Sequence, residues 1–215
     1  MLFLDELPEF DSKTLEVLRQ PLEEKEVSIA RLNATYTYPA NFMLVAALNP
    51  CKCGFYPDRN RCHCSNRQIH QYLGKISRPL LDRIDICIET LQIPYRELLE
   101  EKENETSQKI RDRIVAARQI QSKRYQGTKI YYNSMLTGRD IKKYCKLSNK
   151  EQRILEQAFE QMNLSARAYH RILKVARTIA DLDQSEKIEK RHLCEAIGYR
   201  SLDKKYWGGG GEEIE

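Results

Sequence analysis

The sequence contains no Gly-x-x-x-x-Gly-Lys-Ser/Thr loop, and glycine is scarce: 9 residues in 215, four of them in the run Gly208–Gly211. Such a loop holds a nucleotide through its backbone N–H groups and its lysine, so these residues alone offer a triphosphate no cradle. No apolar run approaches the roughly 20 residues of a membrane-spanning helix. No basic-then-apolar secretory leader opens the sequence. The expectation is a soluble, cytoplasmic protein with no membrane partner, and a reducing compartment disfavours disulfides as the purpose of its 7 cysteines. Extreme charge is missing too. The net charge of +5 is compatible with a nucleic-acid partner without requiring one. At 41% hydrophobic and 31% charged residues, the composition suits one large or two small globular domains.

What is present begins at the first residue. Met1-Leu2-Phe3-Leu4 runs directly into Asp5 and Glu6. A short apolar run without polar alternation fits a strand buried on both faces, as in a parallel sheet under helices. Asp5 and Glu6 would then stand at its carboxyl end, where open α/β sheets bind ligands. An apolar strand ending in Asp-Glu is the Walker-B arrangement, in which the first carboxylate helps hold Mg²⁺ and the second orients a water. The plainer reading is a core strand followed by two solvated acids.

Asp11 or Ser12 can cap a short helix that Pro21 interrupts. Val27–Arg31 and Thr35–Tyr38 read as a hairpin around Leu32-Asn33-Ala34. Phe42 to Leu48 is a second core strand, and Asn49 ends it as Asp5 ends the first. An amide there can order a water, although asparagine before proline is also a common turn. Cys51-x-Cys53 and Cys62-x-Cys64 then bracket a turn containing Gly54, Pro57, Asp58 and Asn60. Four cysteines in so short a span predict one tetrahedral Zn²⁺ with no open position, hence a structural site; the plainer reading is four reduced thiols in a loop, and His63 and His70 are candidate substitute ligands.

Residues 69–76 read as helix, and Ile86 and Ile88 as a third strand. Arg83, between Asp82 and Asp85, pairs with its neighbours or supplies positive charge to the γ-phosphate of an adjoining subunit. The Glu-rich stretch 94–105 marks a domain boundary. Residues 1–95 form an α/β unit, residues 96–207 are helical, and residues 208–215 are a disordered tail. In the helical part Ile110, Ile114 and Ala117 form one stripe. Thr137 with Asp140, Ser148 with Glu151, and Ser165 cap successive helices. Arg167 lies in the first turn of its helix, where the dipole disfavours a cation, so it can be aimed at an anion.

Taken together, MLFLDELPEF, TYPANFMLVAALNPCKCG, CHCS, RPLLDRIDI, NLSARAYHRILKVARTIADL and AIGYRSLDKKYW resemble the AAA+ ATPases of the magnesium-chelatase-like ComM/YifB family. The resemblance runs from Met1 to Trp207. It implies an α/β P-loop NTPase core fragment with a parallel sheet, followed by an all-α lid, as the carboxyl-terminal portion of a longer protein. The phosphate loop would lie in the missing front, so the fragment alone is expected to be inactive. It further implies Asp5 and Glu6 as Walker B, Asn49 as sensor 1, Arg83 as an arginine finger acting in trans, and Arg167 as sensor 2. Arg78, where glycine is expected, competes with Arg83 for the place facing the neighbour. The expected cofactors are ATP and Mg²⁺, with structural Zn²⁺. The expected assembly is a hexameric ring remodelling DNA, as a helicase or branch-migration motor related to competence. The alternatives are a non-catalytic, zinc-stabilised binding module and an ATPase subunit of a metal chelatase.

Overall fold

The computed structural model describes residues 1–32, 34–90, 95 and 104–207. It divides into two units, Met1–Ile84 joined by the segment that begins at Asp203, and Asp85–Leu202. The division therefore falls at Ile84, ahead of the composition change at 94–105, and the chain after Leu202 returns to the first unit. Residues 208–215, expected as a tail, lie outside the described residues.

In the first unit, strand β1 (Leu2–Leu4) pairs in parallel with β4 (Leu44–Ala46), Leu2 opposite Leu44 and Leu4 opposite Ala46. The backbone pairing continues past both strands, with Ala47 N donating to Leu4 O at 2.9 Å and Leu7 N to Ala47 O at 3.0 Å. The apolar run at the start was expected to be buried on both faces, and this is corrected. Leu4 and Ala46 pack on a core of Leu7, Leu15, Ile76, Leu80 and Leu81, whereas Phe3 is 55% exposed. Alternation along the strand puts Phe3 on the face opposite that core, and among the described residues nothing covers this face. The second strand is also shorter than residues 42–48, because its partner ends at Leu4.

Between these strands come α1 (Ser12–Val17), α2 (Arg19–Glu24) and the antiparallel hairpin β2 (Glu26–Arg31) and β3 (Ala34–Pro39). Asp11 caps α1 by accepting from Lys13 N at 3.1 Å. Pro21 falls in the first turn of α2, where an N–H has no helical partner to lose. The break comes instead at Leu18. In the hairpin Val27 faces Tyr38 and Ile29 faces Tyr36, and nearly every residue is exposed. The unit closes with α3 (Asn66–Leu73) and α4 (Arg78–Leu81).

The second unit is helical: α5 (Ser107–Arg124), α6 (Gly138–Tyr144), α7 (Asn149–Gln161), α8 (Ala166–Leu182) and α9 (Lys190–Gly198). Ile172, Leu173, Ala176 and Ala180 of α8 pack with Ile141, Leu155 and Leu193. The caps fall where the sequence puts them: Thr137 and Asp140 form a capping box, Ser148 accepts from Lys150 N, and Ser165 accepts from Ala168 N at 3.1 Å. A last helix, α10 (Ser201–Trp207), carries the chain into the first unit, where Trp207 Nε1 donates to Leu73 O at 3.0 Å.

Two further expectations are corrected. Ile86 and Ile88 form no strand; both are exposed, and among the described residues no strand pairs with them. Ile110 and Ile114 do not join the core, being 40% and 48% exposed. Among the described residues no element covers the first turns of α5, and burial begins at Ala117 and Gln121.

Candidate active site and metal centre

β1 and β4 run parallel and adjacent, so Asp5-Glu6 and Asn49 emerge from the same carboxyl edge of the sheet. All three are exposed. Asp5 Oδ1 accepts from Glu6 N at 3.0 Å, which fixes one carboxylate oxygen and leaves the other open. Glu6 adopts φ 51°, ψ 49°, the left-handed region, at a cost of roughly 1–2 kcal/mol for a residue with a Cβ. The bend starts a 3₁₀ turn at Leu7–Glu9, which sends Leu7 into the core while the Glu6 carboxylate faces solvent. Strained backbone of this kind is concentrated at functional sites.

Helix α3 forms a wall shared by this edge and the cysteine loop. Its Tyr72 is buried, and that burial, followed by the nearby charges of Glu9, Glu6 and Cys51, pushes the phenol above its ordinary range. Lys75 Nζ donates to Pro8 O at 2.7 Å just beyond the helix. On the other side Gly54, at φ +80°, sits where a Cβ would stand 3.9 Å from Cγ of Asn49.

The sulfur atoms of Cys51, Cys53, Cys62 and Cys64 all lie within 4.8 Å of one another. Cys51 is 3.3 Å from Cys53 and 3.7 Å from Cys62, and Cys53 is 3.6 Å from Cys62. These separations exceed a sulfur–sulfur bond and approach the roughly 3.8 Å edge of a tetrahedron with Zn–S near 2.3 Å. The donor set fits a soft, tetrahedral divalent ion. The loop is built to hold that geometry: Gly54 N donates to Cys51 O at 3.0 Å, and Cys62 N to Asp58 O at 2.8 Å. The Phe55 N–H, followed by Cys51, pulls the Cys53 thiol down to about 6. Burial pushes Cys62 up to about 11. One sulfur is thus ready to bind as a thiolate, while another gains from an ion that displaces its proton.

Residues 1–98 match the family of the magnesium chelatase subunit ChlI, and residues 104–200 match the ChlI C-terminal family. Competence protein ComM of Haemophilus influenzae is 45% identical over 94% of this chain, which covers 39% of ComM. The uncharacterized protein YifB of Escherichia coli is 42% identical over 95% of the chain, covering 40% of YifB. The chain belongs to the magnesium-chelatase-like ComM/YifB family. A more divergent protein of Mycobacterium tuberculosis is 34% identical over 85% of the chain. The chain spans about two-fifths of the length of the curated ComM and YifB relatives it matches.

In this ComM/YifB chain the arginines are placed differently from the acids. Arg83 is turned into its own chain, within the first unit. Its side chain is only 7% exposed and is ion-paired to Glu23, and its Nη1 donates to Pro79 O at 2.7 Å. Among the described residues its buried Nε has no hydrogen-bond partner. Arg78 donates to Trp207 O at 2.8 Å. Arg167 is exposed in the first turn of α8 and belongs to the second unit. One unit therefore collects Asp5, Glu6, Asn49, Arg83 and the four cysteines. Sequence reasoning missed Glu23, 60 positions from Arg83, because no local pattern announces such a pair. It also missed Tyr72, whose place on the buried stripe of α3 reads as core alone.

Proposed function

We propose that the chain is part of an ATPase of the ComM kind, which assembles as a hexameric ring and couples ATP hydrolysis to remodelling of DNA. The observation that carries the reading is the Asp5-Glu6 turn, left-handed at Glu6, on the same carboxyl edge of two adjacent parallel strands as Asn49. That edge offers an exposed carboxylate pair and an amide, which is the donor set for a hydrated Mg²⁺ and an oriented water. The phosphate loop would come from the part of the relatives that this chain does not span. Metal-bound ATP supplies the phosphoryl group to be transferred. Asp5 would hold the metal through water, Glu6 would orient the attacking water, and the Asn49 amide would hydrogen-bond it. The helical unit would serve as the lid that carries Arg167. Arg83 would reach a neighbour's phosphate only after leaving Glu23. The exposed β2–β3 hairpin would face the DNA, with Lys25 at its base and Arg31 beside its turn supplying phosphate contacts.

The four-thiolate loop would hold one structural Zn²⁺. It also favours a second reading, a zinc-stabilised binding module without catalysis, and measuring zinc on this chain together with ATP hydrolysis by the full-length protein separates the two. The primary reading is tested in the full-length protein by DNA-stimulated ATP hydrolysis. Asp5→Ala should abolish turnover and its Mg²⁺ dependence together. Unchanged turnover would remove the acidic pair from the chemistry.

A further inference from the structure

The cysteine loop carries a second feature that its metal site does not explain. Residues 51–67 contain four cations, Lys52, Arg59, Arg61 and Arg67, against a single carboxylate, Asp58. All five are exposed. Asp58 Oδ1 accepts from Asn60 N at 3.0 Å, so the lone acid is turned to its own backbone. Two of the cations lie on aromatic rings: the Arg61 guanidinium is 4.0 Å from the Phe55 ring centroid, and that of Arg59 is 4.9 Å from Tyr56. Arg59 also donates to Cys64 O at 2.9 Å, which ties the outer rim to the cysteine cluster. Four thiolates on a divalent ion would carry a net charge of −2. Cys51 and Cys62 bury half of those sulfurs, whereas the cations stand outside them.

A rigid loop with outward cations and guanidinium-stacked rings suits a polyanion backbone. By contrast, residues 26–39 of the hairpin carry a single cation, Arg31, beside the fully exposed, apolar Leu32. We propose that this metal-held loop is a docking surface for the phosphodiester backbone of DNA, with Lys52, Arg61 and Arg67 as phosphate contacts and Phe55 as an accessory ring. The proposal rests on the reading that the protein acts on DNA. It gives the four-cysteine centre a purpose beyond stability, because the ion would hold these cations in register.

The test is binding of a labelled DNA duplex to this chain loaded with zinc, followed by fluorescence anisotropy from about 50 to 200 mM salt. ATP is absent, so the result does not depend on catalysis. The variant Lys52→Gln/Arg61→Gln/Arg67→Gln, checked for equal zinc content, should bind at least tenfold more weakly at the lowest salt. Its slope of log affinity against log salt should be shallower by about 2 to 3. The control Lys142→Gln/Lys146→Gln/Lys187→Gln should keep both affinity and slope. An unchanged slope in the loop variant, or an equal loss in the control, overturns the docking surface while DNA binding itself stands. Absence of binding by the unaltered chain overturns both this surface and the DNA reading. Loop-dependent binding in a protein whose full-length form hydrolyses no ATP would keep the surface and remove the motor.

Discussion

Asp181 is the residue whose loss the fold should feel most. It is fully buried in α8 and accepts from Arg124, Arg177 and the Asn133 amide. Arg177 keeps other partners, the carbonyls of Glu186 at 2.8 Å and Ser185 at 2.6 Å. Among described hydrogen bonds Arg124 keeps only Asn133 Oδ1, at 3.3 Å. Asp181→Leu would therefore leave a largely buried guanidinium almost unpaired. Breaking one side of a buried pair costs about 3–5 kcal/mol. For a domain near this size each kcal/mol is worth about 3–5 °C, so the second unit should melt about 10–20 °C lower. Thermal unfolding followed by far-ultraviolet circular dichroism reads this directly. Adding Arg124→Met should recover part of the loss, since an apolar pair replaces a stranded charge. A single variant melting within about 2 °C of the parent would refute the reasoning.

Metal analysis of the purified chain should find one zinc, and Cys51→Ser with Cys62→Ser should find none; a metal-free parent would end the metal assignment. Asp140 accepts from Thr137 N at 2.9 Å and from Thr137 Oγ1 at 2.6 Å, and these bonds, the hydroxyl first, hold its carboxyl below the usual 3.8. A depressed folded value stabilises above the ordinary range and is lost as the pH falls through it. Asp140→Asn should therefore flatten the acid limb of melting temperature against pH, and an identical limb would count against the cap. In full-length rings Arg83→Ala should lower turnover by about a thousandfold or more. Subunits intact at Arg83 but carrying Glu6→Gln should restore activity on mixing, and absence of rescue would place Arg83 in its own subunit's chemistry, where its pairing with Glu23 already holds it.

The legible parts of the sequence were those written in local pattern. The strand end before Asp5 follows from an apolar run meeting polar residues, whereas β4 stops at Ala46, short of the Asn49 that the apolar run suggested. The hairpin follows from alternation, the caps at Thr137 and Ser165 from their spacing, and the four-cysteine cluster from cysteine density. What could not be read depends on distant partners. Phe3 looks as buried as Leu4 until the sheet shows which face is covered. Ile86 and Ile88 alternate as a strand does, but alternation cannot supply a pairing partner. The tethering of Trp207 to Leu73 joins residues 134 positions apart, and the left-handed turn at Glu6 comes from a residue type with no preference for it.

Glu6 is the group assigned to orient the attacking water, and one variant tests that directly. Full-length Glu6→Gln should bind ATP as the parent does, retain it unhydrolysed through isolation, and show turnover lowered by about a hundredfold or more. Turnover at the parent's rate, with the nucleotide recovered as diphosphate, would contradict the assignment.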